Sequence, residues 1–308
     1  MAKHKQRKNL QRKHIDVYQR VTDEIVGYLE KGVRPWSASW VRTAGGLPLR
    51  VCGTPYRGVN VLLLWMAQVE NGFTSDSWMT FRQAKAVGAN VRKGEKGCAI
   101  IRSGTYDLGE GEEAVTVPFL RQYVVFNFSQ IENLPDDLQV RVAQAESVSE
   151  ESAAQSTPNA SDELLCGIGA KINSGGETAC YRPGPDDILM PRFEDFRDAD
   201  AFTATLAHEL VHWTGSPKRL ARIHLDENPR MAYAREELVA EIGAAFVCAR
   251  LGVATKERED HASYIDGWLR LLKSDKRAVQ KAAAMAQSAC DYLLGDTSES
   301  QELSAEVT

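Results

Sequence analysis

The stretch TLAHELVHWTGS, residues 205–216, decides how the rest of the chain is interpreted, because it carries two histidines four residues apart. On an α-helix, positions i and i+4 lie on one face, so His208 and His212 can present ring nitrogens to one metal ion. Glu209 is rotated from His208 by about 100° and can serve as general base for an attacking water, as in the HExxH sites of zinc peptidases. Gly215 follows as a helix stop. The motif alone leaves a nearly even choice between a zinc site and a helix with two ordinary histidines.

A catalytic zinc site takes three protein ligands, and the segment YAREELVAEIGAAF, residues 233–246, offers the third. Glu237 and Glu241 are four residues apart among apolar neighbours, where a buried carboxylate is costly unless it is paired or bound to metal. We predict that Glu237 is the ligand and that Glu241 orients a ligand histidine, and the swapped assignment stays open. Glu236 is expected to be an ordinary solvated glutamate.

Peptide hydrolysis also needs a donor that stabilises the tetrahedral intermediate, and the sequence does not choose among the candidates. Tyr233 is the first candidate, and Tyr181, Tyr264 and His224 are the alternatives. The segment DDILMP, residues 186–191, is expected to form a short edge strand that holds an extended peptide by backbone hydrogen bonds.

The formal net charge of −5 conceals a division of charge along the chain. Residues 1–134 carry 19 Lys and Arg against 12 Asp and Glu, a net charge of +7. Residues 135–308 carry 18 against 30, a net charge of −12. A basic half joined to an acidic half indicates a polyanionic partner for the basic half, and nucleic acid is the first candidate.

Aromatic and basic residues are interleaved in the first half, and this combination is typical of proteins that bind single-stranded nucleic acid through phosphate contacts and base stacking. Trp65 lies inside an apolar run and is expected in the core, and Trp78 and Phe81 are further core candidates. The charged turn at 92–97 is expected to be exposed, because so many charges are rarely buried. The candidate DNA-binding residues are Trp36, Arg42, Tyr56, Arg57, Arg82, Lys85, Arg92, Lys93 and Lys96.

Hydrophobic periodicity predicts an α+β fold for the first half and a mainly helical fold with a small β-sheet for the second. In the first half, the predicted elements are a helix from Asp16, a buried helix from Val59, a short helix after Thr80 and two strands, at 98–102 and 117–130. In the second half, they are helices at 161–172, 198–214, 231–251, 260–273 and 275–294, and short strands at 178–181 and 187–190.

Composition divides the chain into five predicted parts. Residues 1–13 form a basic, disordered arm, 14–134 a single-stranded-DNA-binding domain, 135–160 an acidic, flexible linker, 161–295 the metal-site domain, and 296–308 a disordered tail. The long linker predicts two domains that move independently.

The sequence also limits where the protein is expected to work. No run of about 18 apolar residues is present, and the basic N-terminus has no apolar segment of a secretory signal behind it. We therefore expect neither a membrane span nor export. The six cysteines show no CxxC spacing, and we expect reduced, mostly buried thiols of a cytoplasmic protein.

Several long segments, in the same order along the chain, resemble the ArdC-type antirestriction proteins. The resemblance is carried by YRGVNVLLLW at 56–65, SWMTFRQAKAVGANVRKGEKG at 77–97, TLAHELVHWTGSPKRLAR at 205–222 and YAREELVAEIGAAFVC at 233–248. It covers residues 14–134 and 161–295, which is nearly everything outside the predicted arm, linker and tail.

The resemblance implies an N-terminal single-stranded-DNA-binding domain joined to a C-terminal zincin-like, gluzincin-type metallopeptidase domain, carried by conjugative plasmids and other mobile elements. Such a protein protects incoming DNA from host restriction. By motif, His208, His212 and Glu237 would bind the metal, and Glu209 would activate water. One departure is Ser216, which stands where relatives often have a further histidine.

We therefore expect an antirestriction protein with a zinc-dependent peptidase domain, in which Mn²⁺ or another divalent ion is the alternative to zinc. The expected partners are single-stranded DNA and DNA-bound host proteins as substrates, with no membrane. The alternative function is a non-proteolytic protein that occludes single-stranded DNA, with a structural metal. A metal-dependent nuclease is a weaker third reading, because many nucleases use carboxylate-rich two-metal sites.

Overall fold

The computed structural model describes residues 16–36, 46–108, 115–139, 160–222, 228–253 and 262–295. The predicted basic arm, most of the predicted linker and the predicted tail lie outside these residues. The elements of the N-terminal half are α1 (Val17–Leu29), β1 (Leu49–Arg50), α2 (Val59–Asn71), β2 (Ser77–Thr80), α3 (Phe81–Ala86), β3 (Asn90–Val91), β4 (Cys98–Leu108), β5 (Val115–Asn127) and β6 (Ile131–Glu132).

Local sequence explains where the first two helices begin and end. Asp16 caps α1, because its side chain accepts hydrogen bonds from the backbone N–H groups of Tyr18 and Gln19. α2 ends at Gly72, whose left-handed backbone (φ 64°) costs glycine no steric strain. Both helices begin where the apolar periodicity predicts them.

A four-stranded sheet with the order β1-β2-β5-β4 forms the frame of the N-terminal half. β4 and β5 are long antiparallel partners, and their register runs from Cys98 opposite Val125 to Leu108 opposite Val115. β3 and β6 form a separate two-stranded sheet, so the basic turn at 92–97 connects the two sheets. The two predicted strands are confirmed, although the second ends at Asn127 and a short 3₁₀ turn follows it.

The C-terminal half is mainly helical with a small sheet, so the predicted fold class is confirmed. Its elements are α4 (Ala160–Cys166), β7 (Lys171–Ser174), β8 (Cys180–Arg182), β9 (Asp187–Met190), α5 (Ala199–Thr214), α6 (Pro229–Leu251), α7 (Ala262–Ser274) and α8 (Ala278–Leu294). The four long helices lie within a few residues of their predicted bounds, because their apolar spacing is strong and their caps are local.

The helix predicted at 161–172 is wrong in its second part. α4 ends at Cys166, and Gly169 adopts a left-handed backbone (φ 94°) before β7 begins at Lys171. β7 then pairs in parallel with β9. Because this pairing is a tertiary contact, the local periodicity of the segment does not reveal it.

The segment predicted as an edge strand is the central strand of the small sheet. The strand order is β7-β9-β8, so β9 pairs with a strand on each side. Asp187, Ile188 and Met190 of β9 are buried, as expected for a strand covered on both faces. β8 is an edge strand instead, and it contacts α5.

α6 is the central helix of the C-terminal half and packs against α5, α7 and α8. Glycine at position 243 allows the close approach of α5, because an ideal Cβ there would lie 2.9 Å from the Val211 Cγ2 atom. Real side chains do not tolerate so short a contact. The close packing brings the histidines of α5 next to the glutamates of α6.

Buried side chains of both halves form one continuous cluster. The ring centroids of Trp65 in α2 and Phe246 in α6 are 5.9 Å apart. Those of Trp36, which follows α1, and Trp268 in α7 are 5.6 Å apart. This shared core differs from the expectation of independently moving domains, because separating the halves would expose these aromatic side chains to water.

A second, smaller cluster of buried side chains lies within the N-terminal half. Its members are Met79, Ala84, Ala89, Phe128, Ile131, Leu134 and Leu138. α3 contributes Ala84 to this cluster, and Val91 of β3 packs against it. The basic turn that follows β3 therefore rests on a different core from the one that the two halves share.

The cysteines are free thiols, as predicted, but fewer of them are buried than expected. Cys248 and Cys290 are buried, whereas Cys52 and Cys166 are exposed and the other two are half-buried. Within the described ranges, no helix combines the length and the apolar character needed to cross a bilayer.

Replacing Gly243 by alanine is expected to destabilise the protein, because the new methyl group overlaps Val211. We expect the free energy of unfolding to fall by about 1–3 kcal/mol in urea or thermal unfolding. Gly27→Ala in α1 is the matched control, since a Cβ there meets nothing within 4 Å. The control should be neutral or stabilising by up to about 1 kcal/mol. Equal stability of Gly243→Ala and the wild type would contradict the close helix packing.

Candidate metal centre

α5 presents its two histidines on one side of the helix. Asp198 caps the helix, and its side chain accepts a hydrogen bond from the Ala201 N–H at 2.9 Å. The Nε2 atoms of His208 and His212 are 3.1 Å apart. The two rings therefore converge on one point, as the spacing of four residues predicts.

Glu237 on α6 meets both histidines at this point. Its Oε2 atom is 3.6 Å from His208 Nε2, and its Oε1 atom is 3.5 Å from His212 Nε2. Glu237 is buried, so its charge is compensated by these neighbours and not by bulk water. The two nitrogens and one carboxylate oxygen form a group that could hold a metal ion.

The separations in this group are close to those around a tetrahedral ion. With bonds of about 2.0–2.1 Å, the ligand atoms of a tetrahedral zinc site are about 3.3–3.5 Å apart. Here the two ring nitrogens are 3.1 Å apart, Glu237 Oε1 lies 3.5 Å from His212 Nε2, and the other carboxylate oxygen, Oε2, lies 3.6 Å from His208 Nε2. Two imidazoles and one carboxylate suit zinc, and they also admit manganese. Three protein ligands leave the fourth position to water or substrate.

Glu241 lies behind His208, on the side of the ring away from the ligand group. Its Oε1 atom is 3.5 Å from His208 Nδ1, and its Oε2 atom accepts a hydrogen bond from Arg34 Nη1 at 3.1 Å. A carboxylate at Nδ1 fixes the ring and leaves Nε2 for a metal. The geometry thus favours Glu237 over Glu241 as the ligand. Arg34 lies 207 residues from Glu241 in the sequence, so no local pattern predicts that it belongs to this site.

Glu236 is not the solvated glutamate that the sequence suggests. Its Oε1 atom lies 3.2 Å from His212 Nδ1, and it accepts hydrogen bonds from Arg222 Nη2 at 2.9 Å and Nε at 3.2 Å. His212 is therefore held from behind in the same way as His208. No local pattern predicts this role, because it requires the segment after the HExxH motif to bring Arg222 back to α6.

The charges in the site shift the pKa values of its groups. Burial alone would lower the pKa of His212, but the bond to Glu236 and the charge of Glu237 raise it overall. Burial alone would raise the pKa of Glu237, but the neighbouring His208 and His212 lower it overall. Because a ligand histidine must be neutral, protons compete with metal here, and acid weakens metal binding.

Glu209 is buried on the side of α5 that faces the small sheet. Its Oε2 atom accepts a hydrogen bond from the backbone N–H of Tyr181 in β8 at 2.8 Å. Glu209 is outside the group of three convergent ligand atoms. The edge strand thus orients this carboxylate beside the ligands, which is the position that a general base needs.

A cleft runs over the ligand group between β8 and the N-terminal part of α7. Tyr233 and Tyr264 line it, and their hydroxyl oxygens are 3.3 Å apart. Burial, the hydrogen bond with Tyr264 and the charge of Glu237 all raise the pKa of Tyr233, so its hydroxyl stays protonated and able to donate.

The other two candidate donors differ from these tyrosines. The Tyr181 hydroxyl donates to Asp186 at 2.9 Å, and Asp186 also accepts from Arg219, so this hydroxyl belongs to a network beside the cleft. His224 lies outside the described residues. Ser216, the departure from the family pattern named above, is buried and accepts a hydrogen bond from the backbone N–H of Lys218. It therefore stabilises the turn after α5.

The candidate DNA-binding residues divide into exposed and buried groups. Five are exposed on α3 and on the basic turn, namely Arg82, Lys85, Arg92, Lys93 and Lys96. Trp36 and Tyr56 are buried, so neither ring is presented to a nucleic-acid base. Arg57 pairs with Asp291, and Arg42 lies outside the described residues.

Phe81 differs from its predicted place in the core. The residue is 52% exposed, whereas Trp65 and Trp78 are buried as expected. The Lys85 ammonium lies 5.9 Å from the Phe81 ring centroid. An exposed aromatic face next to cations is the arrangement expected of a surface that binds single-stranded nucleic acid. Phe81 provides this arrangement although it was not among the candidate DNA-binding residues.

Comparison with known proteins defines the class to which the two halves belong. Residues 15–126 match the model of the N-terminal domain of the anti-restriction factor ArdC. Residues 159–285 match the model of a zincin-like metallopeptidase. The chain is thus a two-part protein that joins an ArdC N-terminal domain to a zincin-like metallopeptidase domain.

Full-length relatives and solved structures show the family. The uncharacterized protein y4eC of Sinorhizobium fredii is 35% identical, over 93% of this chain and 94% of that protein. The Mn(II)-bound and metal-free crystal structures of the antirestriction protein ArdC from plasmid R388 are 38% and 39% identical, with TM-scores of 0.77 and 0.79. They cover 93% and 91% of this chain, and this chain covers 100% and 97% of them. The chain belongs to the ArdC family of antirestriction proteins.

A DNA primase TraC of Escherichia coli is a further relative. It is 32% identical over 90% of this chain, but this chain spans only 27% of its length. A second TraC from Escherichia coli is 34% identical over 89% of this chain and 19% of its own length.

Replacing Glu237 by glutamine is expected to weaken metal binding strongly, because a neutral amide replaces the only carboxylate in the ligand group. Glu209→Gln is the matched control on the neighbouring helix and should keep the metal. Isothermal titration with Zn²⁺ and with Mn²⁺ measures both. Equal affinity of Glu237→Gln and the wild type would exclude Glu237 as a ligand, and loss of metal in Glu209→Gln would contradict its place outside the ligand group.

Proposed function

We propose that the protein binds single-stranded DNA through its N-terminal half and hydrolyses peptide bonds at a divalent-metal site held by His208, His212 and Glu237. The observation that carries the proposal is the convergence of the three ligand atoms beside the buried Glu209. Zinc is the metal we propose, with manganese as the alternative that the Mn(II)-bound relative supports. The free thiols support a cytoplasmic location.

The residues of the cleft suit the hydrolysis of an extended peptide. A bound divalent ion would polarise the attacking water and the carbonyl of the peptide bond. Glu209 takes the proton from the attacking water and delivers it to the leaving amine, while the Tyr181 N–H keeps the carboxylate in place. Tyr233 donates a hydrogen bond to the developing oxyanion. β8, as an edge strand beside the cleft, aligns the substrate backbone.

The exposed basic turn and α3 support the DNA-binding part of the proposal. Arg82, Lys85, Lys93 and Lys96 supply cations for phosphates, and Phe81 supplies a flat face on which a base can stack. A protease that is bound to DNA meets DNA-bound host proteins at a high effective concentration. The protein would protect incoming DNA from host restriction in this way, as the antirestriction relatives suggest.

The same surface favours a second candidate function. A protein that coats single strands could exclude restriction enzymes without cutting anything, and the metal would then only stabilise the C-terminal half. The requirement for one residue separates the two functions, because only proteolysis needs the Glu209 carboxylate.

Glu209→Gln is expected to lower proteolysis by at least about 10²-fold, because the amide cannot accept the proton from water. Cleavage of casein by the Zn²⁺-loaded protein, with and without single-stranded DNA, measures this effect. Metal content is measured in parallel, and His208→Ala serves as a variant that loses the metal as well.

Plasmid transfer into a restricting host then separates the two candidates. If proteolysis is required, Glu209→Gln fails to protect the incoming plasmid although it still binds metal and DNA. Full protection by Glu209→Gln would overturn the proteolytic function and leave occlusion of DNA as the activity. Undiminished cleavage of casein would instead overturn the role of Glu209.

Two substitutions are expected to weaken DNA binding in different ways. Phe81→Ala should lower the affinity for single-stranded DNA by about 5- to 150-fold at all salt concentrations, because base stacking contributes about 1–3 kcal/mol. Lys96→Gln should reduce the slope of log affinity against log salt by about 0.7, because one phosphate contact is lost.

Fluorescence anisotropy with a labelled oligonucleotide over a range of salt concentrations measures both effects. Lys273→Gln is the control, since it removes an exposed cation from α7 in the other half. If the control weakens binding as much as Lys96→Gln, the DNA surface does not lie on α3 and the basic turn.

A further inference from the structure

We infer that Arg34, which the N-terminal half contributes, is a positioning residue for the metal site in the C-terminal half. The metal centre would then be complete only when the two halves are packed together. This inference rests on the proposed metal site of His208, His212 and Glu237, and it adds a residue from outside the domain that carries the motif.

A short chain of buried polar contacts leads from Arg34 to the metal position. Arg34 Nη1 donates to Glu241 Oε2 at 3.1 Å, and the side chains of this pair are 9% and 10% exposed. The other oxygen of Glu241 lies 3.5 Å from His208 Nδ1. His208 in turn directs Nε2 towards His212 and Glu237. Each link therefore fixes the orientation of the next one.

The second ligand histidine has an equivalent arrangement that makes the role of Arg34 clearer. Arg222 donates to Glu236, and Glu236 contacts His212 Nδ1. Each ligand histidine is thus oriented by its own carboxylate, and each carboxylate is in turn bound by an arginine. Arg222 is 14 residues from its glutamate, whereas Arg34 is 207 residues from Glu241. Only the His208 arrangement depends on the packing of the N-terminal half.

The segment that carries Arg34 is fixed by apolar contacts close to the same cleft. Trp36 is 2% exposed and packs against Trp268. Trp268 stacks on Tyr264, with ring centroids 6.0 Å apart, and Tyr264 lines the cleft. The burial of Trp36 therefore holds the backbone near Arg34 in one place. This gives the guanidinium a fixed position, which a donor that orients a carboxylate requires.

Removing the Arg34 guanidinium would take away the donor that fixes the Glu241 Oε2 atom. The carboxylate could then turn, and its other oxygen would orient the His208 ring less firmly. The ligand atoms themselves would remain. The expected effect is therefore a weaker metal site and not the loss of a ligand.

The test measures Zn²⁺ affinity of the full-length protein by competition with a chromophoric chelator. Arg34→Met should bind Zn²⁺ about 10- to 100-fold more weakly than the wild type, as is usual when a group that orders a ligand is lost. Arg34→Lys keeps a cation and should lie between the two. Asp291→Asn is the matched control, because it breaks the Arg57–Asp291 ion pair between the halves without touching the site, and it should bind Zn²⁺ like the wild type.

A double-mutant cycle tests whether Arg34 acts through Glu241. Glu241→Gln alone should weaken Zn²⁺ binding, and adding Arg34→Met should weaken it little further, because both substitutions interrupt the same chain of contacts. Wild-type affinity in Arg34→Met, or additive effects of the two substitutions, would overturn the inference. If Arg34→Met does not fold, Arg34→Lys replaces it in the cycle with the same expectation.

The outcomes separate this inference from the proposed metal site. If His208→Ala and the wild type bind Zn²⁺ equally, the metal site itself is wrong. If His208→Ala loses the metal and Arg34→Met keeps it, the metal site stands and Arg34 has no part in it.

Discussion

The close contact between α5 and α6 is the constraint on which the rest of the site depends. α5 supplies two imidazoles at a spacing of four residues, but a third ligand atom reaches them only if α6 lies almost against α5. Gly243 makes this approach sterically allowed, because any larger residue would overlap Val211. Once the helices are in place, the Glu237 carboxylate lies within 3.5–3.6 Å of both ring nitrogens.

Close packing would be unfavourable without compensation for the charges that it buries. The site brings three carboxylates of α6 together with two histidines. Arg222 donates to both oxygens of Glu236, and Arg34 donates to the Glu241 oxygen that does not face His208. An arginine fork suits this purpose because it is always charged and its donors lie in a fixed plane. The alternation of cation, carboxylate and imidazole compensates the charges of Glu236 and Glu241 and orients both histidines before any ion is bound.

Sequence reasoning succeeded where the physics is local. The convergence of His208 and His212 depends only on the helical repeat, and Glu237 was selected because a carboxylate among apolar neighbours is costly unless it is paired or bound to metal. The packing of α6 on α5 brings the three residues together. Sequence reasoning failed where tertiary contacts decide. The central position of β9 and the role of Glu236 depend on neighbours that no local window contains. Trp36 was a DNA-binding candidate because composition counts aromatic residues without showing which of them are buried. Phe81 shows the converse error, because it was expected in the core and is exposed.

The core that the two halves share restricts how such a protein can change by recombination. Trp36 lies on Trp268, and Trp65 lies on Phe246, so each half carries one side of every contact. A half exchanged for that of a distant relative would meet a surface of different shape, and the mismatch would leave either cavities or overlaps. Exchange of one half alone is therefore expected to lower stability, and a substitution that changes the volume on one side of the shared core needs a matching change on the other.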